Sequence, residues 1–405
     1  MTKRKFGSAF AFVLASAVLG AHAQSIRPTY SYPLPPKADE GPASIQIGSS
    51  AFFVTPFVGL AVGHDDNVLM TPRLERSSAL YVASPGLKID ARSAHTVFQV
   101  GYQGEFGRYV DSSPDDYSNH IVNAQFDASF DRRNFLRLGA DYTRGSEPRG
   151  STDRRLSAEP DKYRIVNPSF TYAFGAPDAW GRVEIYGNMA ELRYLNNRTF
   201  TESGDRDQRN LGGAVYIRVA PRTYVMAEAR GTRIRYVQPN VNEADERRYY
   251  AGLAWEATAA TTGVLKFGRV ERDFTSNVPD FSGGSYEAMI RWAPRTYSRF
   301  EFYAERSTHE STGLGNFILT DAGGAKWTHD WGSYWSTGVE MRYQKDKYQG
   351  FDRKDDTIAL GLKVGYRFRR WLTFGAEYNY IERDSTLDSS DYDRNRYFLT
   401  ATASM

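Results

Sequence analysis

The chain has 405 residues, with 51 Lys and Arg against 48 Asp and Glu, and no cysteine. That size suits one large β-domain, and the missing cysteines exclude a disulfide framework and thiolate metal sites. The near-neutral balance offers no basic excess for nucleic acid.

Residues 1–23 open with Lys3, Arg4 and Lys5, run apolar from Phe6 to Gly20, and close on Ala21-His22-Ala23. The pattern predicts a Sec signal peptide, and its removal leaves 48 cations against 48 carboxylates. No cysteine follows the cleavage site to take a lipid anchor. Residues 24–50 are rich in Pro and Ser and lack a period, which predicts a disordered or extended periplasmic arm. Such an arm is either a spacer or a docking segment for a periplasmic partner. No later stretch offers about 18 uncharged apolar residues, so no transmembrane helix is expected.

From Ala51 onward the period becomes two, the strand signature. In HIVNAQFDASF, His120, Val122, Ala124, Phe126 and Ala128 point one way, and Asn119, Ile121, Asn123, Gln125 and Asp127 the other. In TIALGLKVGYRF, Ile358, Leu360, Leu362, Val364, Tyr366 and Phe368 alternate with Thr357, Ala359, Gly361, Lys363, Gly365 and Arg367. WLTFGAEYNY repeats the pattern with Leu372, Phe374, Ala376, Tyr378 and Tyr380 on one face. About 18 such runs recur to residue 405, each roughly 9–11 residues long, the length a tilted strand needs to cross a bilayer.

The connections alternate in character. Tight turns are expected at 131–134, 176–181, 220–223, 258–263, 293–296 and 329–332. Long polar loops are expected at 144–163, 196–210, 237–248, 344–356 and 382–395. Short periplasmic turns against long extracellular loops predict an all-β fold: a transmembrane antiparallel up-and-down β-barrel of about 18 strands over residues 51–405. IRVAPRTY (217–224) and IRWAPRTY (290–297) are read as two copies of one hairpin, with each Ala-Pro-Arg-Thr a periplasmic turn where Pro ends the pairing. Tyr163, Trp180, Trp255, Trp292, Trp335, Tyr343 and Trp371 fall near run ends, where interfacial girdles lie. The competing reading is a soluble β-sandwich or lectin.

Catalytic signals are weak. No H-E-x-x-H or G-x-S-x-G occurs, and DSSDYDRN opens like a calcium loop but has Arg396 where glycine belongs. No enzyme activity, cofactor or metal is expected. The inward face is more informative. Residues in lumen-facing phase are Tyr216, Arg218, Glu228, Arg230, Tyr250, Glu256, Glu287, Arg291, Glu301, Tyr303, Glu340, Arg342, Lys363, Arg367 and Glu377. Both signs occur with Tyr between them, so the wall is no one-sign ion filter. Two compatible roles follow: Arg and Glu pairing across strands to hold the wall, and a wet channel with Tyr platforms for neutral or mixed-charge solutes such as sugars.

Three phrases carry a family resemblance. FFVTPFVGLAVGHDDNV (52–68), SPGLKIDAR (84–92) and YQGEFGRYVDSSPDDYSNH (102–120) resemble the opening strands of the β-barrel porin 2 family of Gram-negative bacteria, often encoded among exopolysaccharide-synthesis genes. The resemblance implies an outer-membrane barrel that exports polysaccharide, paired with a periplasmic polysaccharide-export protein, and it carries over no catalytic residue. The alternatives are a general or sugar-selective diffusion porin and a non-conducting scaffold or adhesin. The expected partners are outer-membrane lipid, the polysaccharide and the outer-membrane assembly machinery. The last strand, RYFLTATASM, alternates as a lipid-facing strand should, but ends on Met405 where such barrels usually end on Phe or Trp.

Overall fold

In the computed structural model the alternating runs become one closed antiparallel sheet. The structure describes residues 44–404 except Arg155, Pro177, Asp178 and Ala259. The expected signal peptide, most of the arm and Met405 lie outside the described residues.

Two residues, β1 (Ile45–Gln46), precede the barrel. The wall follows as β2 (Phe52–Asp65), β3 (Ser78–Arg92), β4 (Thr96–Tyr109), β5 (Tyr117–Ser129), β6 (Asn134–Glu147), β7 (Asp161–Phe174), β8 (Gly181–Tyr194), β9 (Arg206–Ala220) and β10 (Thr223–Tyr236). It continues as β11 (Ala244–Thr258), β12 (Thr261–Phe274), β13 (Phe281–Arg295), β14 (Ser298–Glu310), β15 (Phe317–Trp331), β16 (Trp335–Gln349), β17 (Lys354–Arg369), β18 (Leu372–Ser385) and β19 (Tyr392–Ser404). Each strand pairs with its sequence neighbours, and β19 returns to β2, from Arg396↔Asp65 to Ser404↔Phe57. The result is a closed barrel of 18 strands.

Leu60, Val62, Val183, Ile185, Val215, Ile217, Leu360, Leu362 and Leu399 are all exposed on its outer face. In water such a surface would aggregate; in lipid it is the solvated face. On β17 the apolar run from Ile358 to Phe368 spans about 25 Å at ordinary strand rise and tilt, the height of an outer-membrane apolar band. Outward aromatics bound it. Trp292 stacks on Phe300 at 5.0 Å and Trp335 meets Tyr366 at 4.8 Å near the short turns, while Tyr378 stacks on Tyr397 at 5.0 Å toward the loops. Tyr163 departs from the girdle expectation. It shares the inner face with Glu147 and Asp161 and lies over Gly145.

Strands are longer than the sequence predicts, 13 to 16 residues. The ladder does not stop where the apolar face does. Lys345↔Asp356 and Lys347↔Lys354 still pair above the band, so the loop expected at 344–356 shrinks to residues 350–353. Backbone pairing needs no apolar side chain once the strands are held side by side.

The two Ala-Pro-Arg-Thr copies sit at the same end but in different registers. Pro221 and Arg222 form the β9–β10 turn, with Arg222 at φ 59°, the left-handed conformation a type II turn requires after its proline. In the second copy β13 runs on through Pro294 to Arg295, the ladder is irregular between Trp292 and Arg295, and Thr296–Tyr297 make the turn. The second proline is tolerated at a bulge.

The seam is the one non-local pairing. Its upper part is clasped by the Asp65-Asp66-Asn67 run. Arg394 donates to Asp65 with both partners at 1% exposure or less, Asn395 donates backbone and amide N–H to Asp66 at 2.7 and 2.8 Å, and Asn67 donates to the Asp393 carbonyl at 2.9 Å. At the lower end β19 stops opposite Phe57, and β1 takes up its line, with Ile45↔Val54 and Gln46↔Phe53. The end of the expected arm therefore completes the wall.

Breaking a buried ion pair strands one charge. Asp65→Asn is expected to destabilise the barrel by about 3–5 kcal/mol, whereas the apolar pair Asp65→Leu with Arg394→Met recovers most of that loss. Urea unfolding of protein refolded in lipid, scored by heat-modifiable gel mobility, checks both; equal losses for the single and paired variants contradict the clasp.

Candidate functional site: the lumen wall and the extracellular mouth

Residues in phase with Tyr216 and Glu228 point away from the lipid-facing set, so the period-two pattern that makes the outer face apolar also builds the inner face. On β8–β13 that face is a connected charge network. Arg182 pairs with Glu184, which accepts from the Tyr216 hydroxyl at 3.1 Å, and the guanidinium lies 4.6 Å over the Tyr216 ring. Glu228 accepts from Tyr186 and Arg230, each at 2.5 Å, and from Lys266 at 3.0 Å. Arg230 reaches Glu287 at 3.1 Å and Lys266 pairs with the same carboxylate, while Tyr250 donates to it at 3.2 Å. Four charges of alternating sign thus close a ring against the wall, with Lys266 only 2% exposed.

Other sequence-selected residues lie apart from this ring. Arg291 and Glu301 form an exposed pair at 2.8 Å. Tyr303 lies beside Gly324, Arg342 donates to Gln344 at 2.8 Å, and Glu340, opposite Lys326, is exposed. Lys363 meets the buried Glu377 at 2.5 Å. Arg218, Glu256 and Arg367 sit near the short-turn end, where their backbone N–H groups bond Trp180, Arg222 and Tyr334 carbonyls.

Sequence reasoning missed Arg182, Glu184, Tyr186 and Lys266, although they share the same two-residue period. It also missed that part of the inner face is dry. Ala214, Tyr216, Tyr224, Met226, Ala254 and Val264 form one buried apolar cluster, and Ala61, Leu80 and Val82 another.

The mouth is drawn together by the β6–β7 loop, residues 148–160. Arg149 pairs with Asp115 at 2.5 Å, and the Gly150 carbonyl accepts from Arg383 at 3.0 Å. Gly150 has φ 77° and packs so closely on the Leu69 carbonyl that a Cβ would lie 2.1 Å from it. Asp153 accepts the backbone N–H groups of Thr312, Gly313 and Leu314 at 3.1, 3.1 and 2.8 Å. Arg154 donates to the Thr312 carbonyl at 3.1 Å and to Asp161 at 2.5 Å, with its guanidinium 4.2 Å over the Tyr194 ring. Burial opposes its charge, but Tyr194, Glu147 and Asp161 hold its pKa above the ordinary arginine value. Nearby, hydrogen bonds from Lys162 and Asn196 hold the Glu159 carboxyl below the usual range.

Loops 148–160 and 311–316 rise from nearly opposite sides of the 18-strand wall. The β14–β15 hairpin leans to meet the first. Above Glu287↔Glu305 it leaves β13, and Thr308 and Glu310 reach Arg248 and Arg272 at 2.8 Å each on β11 and β12.

A closed barrel with an apolar outer band, a charge-laced lumen and a roofed mouth is a porin-like channel of the Gram-negative outer membrane. The chain belongs to the family described as "Putative beta-barrel porin 2", which matches residues 40–405. No curated protein matches it. Among solved structures it resembles OccK9 (OpdG) of Pseudomonas aeruginosa at 11% identity and TM-score 0.48, covering 87% of this chain and 98% of that one. It also resembles OccK2 (OpdF) of the same organism, solved with glucuronate, at 9% and 0.47, covering 87% and 98%. The FrpB iron transporter of Neisseria meningitidis (F5-1 variant) matches at 10% and 0.46, covering 85% of this chain and 65% of that one.

Lys266→Met takes away one of the two cations that the buried Glu228 and Glu287 share, leaving both carboxylates to Arg230 alone, and is expected to cost about 3–5 kcal/mol. Arg291→Gln removes only an exposed pair, worth about 1 kcal/mol or less. Urea titrations of the two variants in lipid test the ranking; a larger loss for Arg291→Gln refutes it.

Proposed function

We propose that this barrel is a diffusion channel for small polar solutes, with loop 148–160 setting what passes. The observation that carries the reading is the tie of Asp153 to three backbone N–H groups across the mouth. A small solute can pass beside such a roof, whereas a polymer in transit needs it released. Paired charges and Tyr hydroxyls along the wall favour weak, exchangeable contacts over one tight site, which suits flux.

Exit of an extracellular polysaccharide, delivered by a periplasmic export protein, is the second reading. One observation favours it: through β1 the chain enters the fold at the periplasmic rim, so a partner bound to the arm is held at the lumen's lower opening.

Proteoliposomes are expected to swell in small sugars with the wild type and several-fold faster with Asp153→Asn. A strain lacking the gene should take up small polar solutes more slowly and keep its surface polysaccharide. Loss of the surface polymer with unchanged uptake would overturn the proposal in favour of the exporter. Liposomes that stay impermeable with both proteins would make the barrel a non-conducting scaffold.

A further inference from the structure

Just above the apolar band, the outer face of β6–β10 gathers arginines that stand directly opposite one another. Arg144 on β6 stands directly opposite Arg164 on β7, and Arg164 directly opposite Arg193 on β8. One strand further on, Arg209 on β9 stands opposite Arg233 on β10. All five lie in phase with lipid-facing neighbours such as Tyr142, Val166, Leu211 and Val225. Directly opposed side chains have Cβ atoms about 5 Å apart, and like charges there destabilise a sheet.

Carboxylates offset only part of this. Glu191 lies 3.3 Å from Arg164 and 3.7 Å from Arg193, Asp207 lies 2.7 Å from Arg193, and Asp245 lies 3.3 Å from Arg233. Among the described residues the side chains of Arg144 and Arg209 have no ion-pair or hydrogen-bond partner, and both residues are exposed. The side chains of Arg164 and Arg233 remain 46% and 64% exposed, free to turn toward another anion. Across β18–β19, on the far side of the barrel, an acidic pair stands opposed instead, with Glu382 facing Asp393.

We propose that the Arg144–Arg164–Arg193 row and the Arg209–Arg233 pair bind the phosphate groups of a phosphorylated glycolipid in the outer leaflet. The height fits, because the rows lie immediately above the aromatic and apolar residues that mark the end of the hydrocarbon. The chemistry fits, because guanidinium groups grip phosphate bidentately. Neighbouring strands bring two of them within reach of one phosphate. The bound anion removes the repulsion that the sheet otherwise carries.

The test uses the full barrel folded in uncharged detergent, offered phosphorylated lipid A, its dephosphorylated form, or inorganic phosphate. Native mass spectrometry reads the bound lipid and a thermal ramp reads the unfolding midpoint. The wild type is expected to retain the phosphorylated lipid and to gain a higher midpoint with it alone. The variant carrying Arg144→Gln, Arg164→Gln, Arg209→Gln and Arg233→Gln should lose binding about tenfold or more, and Glu382→Gln should leave it unchanged. Equal retention of the dephosphorylated lipid would overturn the proposal, as would undiminished binding by the four-site variant. Inorganic phosphate raising the midpoint as far would reduce the rows to a free-anion site. Lipid-free self-association of the wild type that the four-site variant loses would assign the face to a second copy of the chain. If that variant does not fold, the comparison of the two lipids on the wild type still decides.

Discussion

In hydrocarbon every backbone N–H and C=O must find a partner within the protein, and a sheet meets that demand only by closing on itself. Seventeen of the pairings in this wall join strands that follow one another in the chain. The eighteenth, β19 to β2, joins its two ends. On that pairing the whole barrel depends, and the molecule reinforces it twice. The buried Asp65–Arg394 pair holds the upper part, with Asp66 and Asn67 bonding the backbone and side chain of the facing strand. At the lower part β1 continues the line on which β19 ends.

Closure creates an inner face that is neither bulk water nor a protein core. Charge there is stable only when paired, since partial desolvation penalises a lone ion. The ring of Glu228, Arg230, Lys266 and Glu287 meets that condition with alternating signs, and Tyr186 and Tyr250 supply hydrogen bonds the ions alone leave open. Lys363 and Glu377 repeat the solution once across β17 and β18. Charges paired in this way leave the wall with little net field of either sign. Dry clusters around Ala254 and Leu80 pack apolar side chains of the inner face against one another.

Much of this was legible in the sequence because a strand writes its environment in a period of two. Leu360, Leu362 and Val364 on one face and Lys363 and Arg367 on the other could be sorted without coordinates. Strand ends were not legible. At Lys345 and Asp356 both faces are polar, so the pattern fades while the ladder continues. Tyr163 lies near a run end, as a girdle residue does, but its phase along β7 is that of Asp161, which puts it on the inner face. The second Ala-Pro-Arg-Thr looked like a turn because a bulge can seat a proline without leaving the strand. The roof was out of reach altogether. Asp153 and Gly313 lie 160 residues apart, and a carboxylate accepting backbone N–H groups imposes no residue type on its partner.

That last point also separates what is rigid here from what can move. The clasp and the inner ring are buried, made of ion pairs whose rupture strands a charge, and they share the free energy of the whole sheet. The contacts of Asp153 lie above the bilayer in reach of water, which can replace a backbone donor at a net cost of about 1.5–3 kcal/mol for a charged acceptor. Local opening of so few contacts is far cheaper than opening the barrel, and loops of that kind are drawn from the low-stability end of a fold. If the barrel is the diffusion channel proposed above, the wall is its fixed part and selection falls to the roof. On that reading, solute range is changed by substitutions at 148–160 and 311–316, with the sheet beneath left as it is.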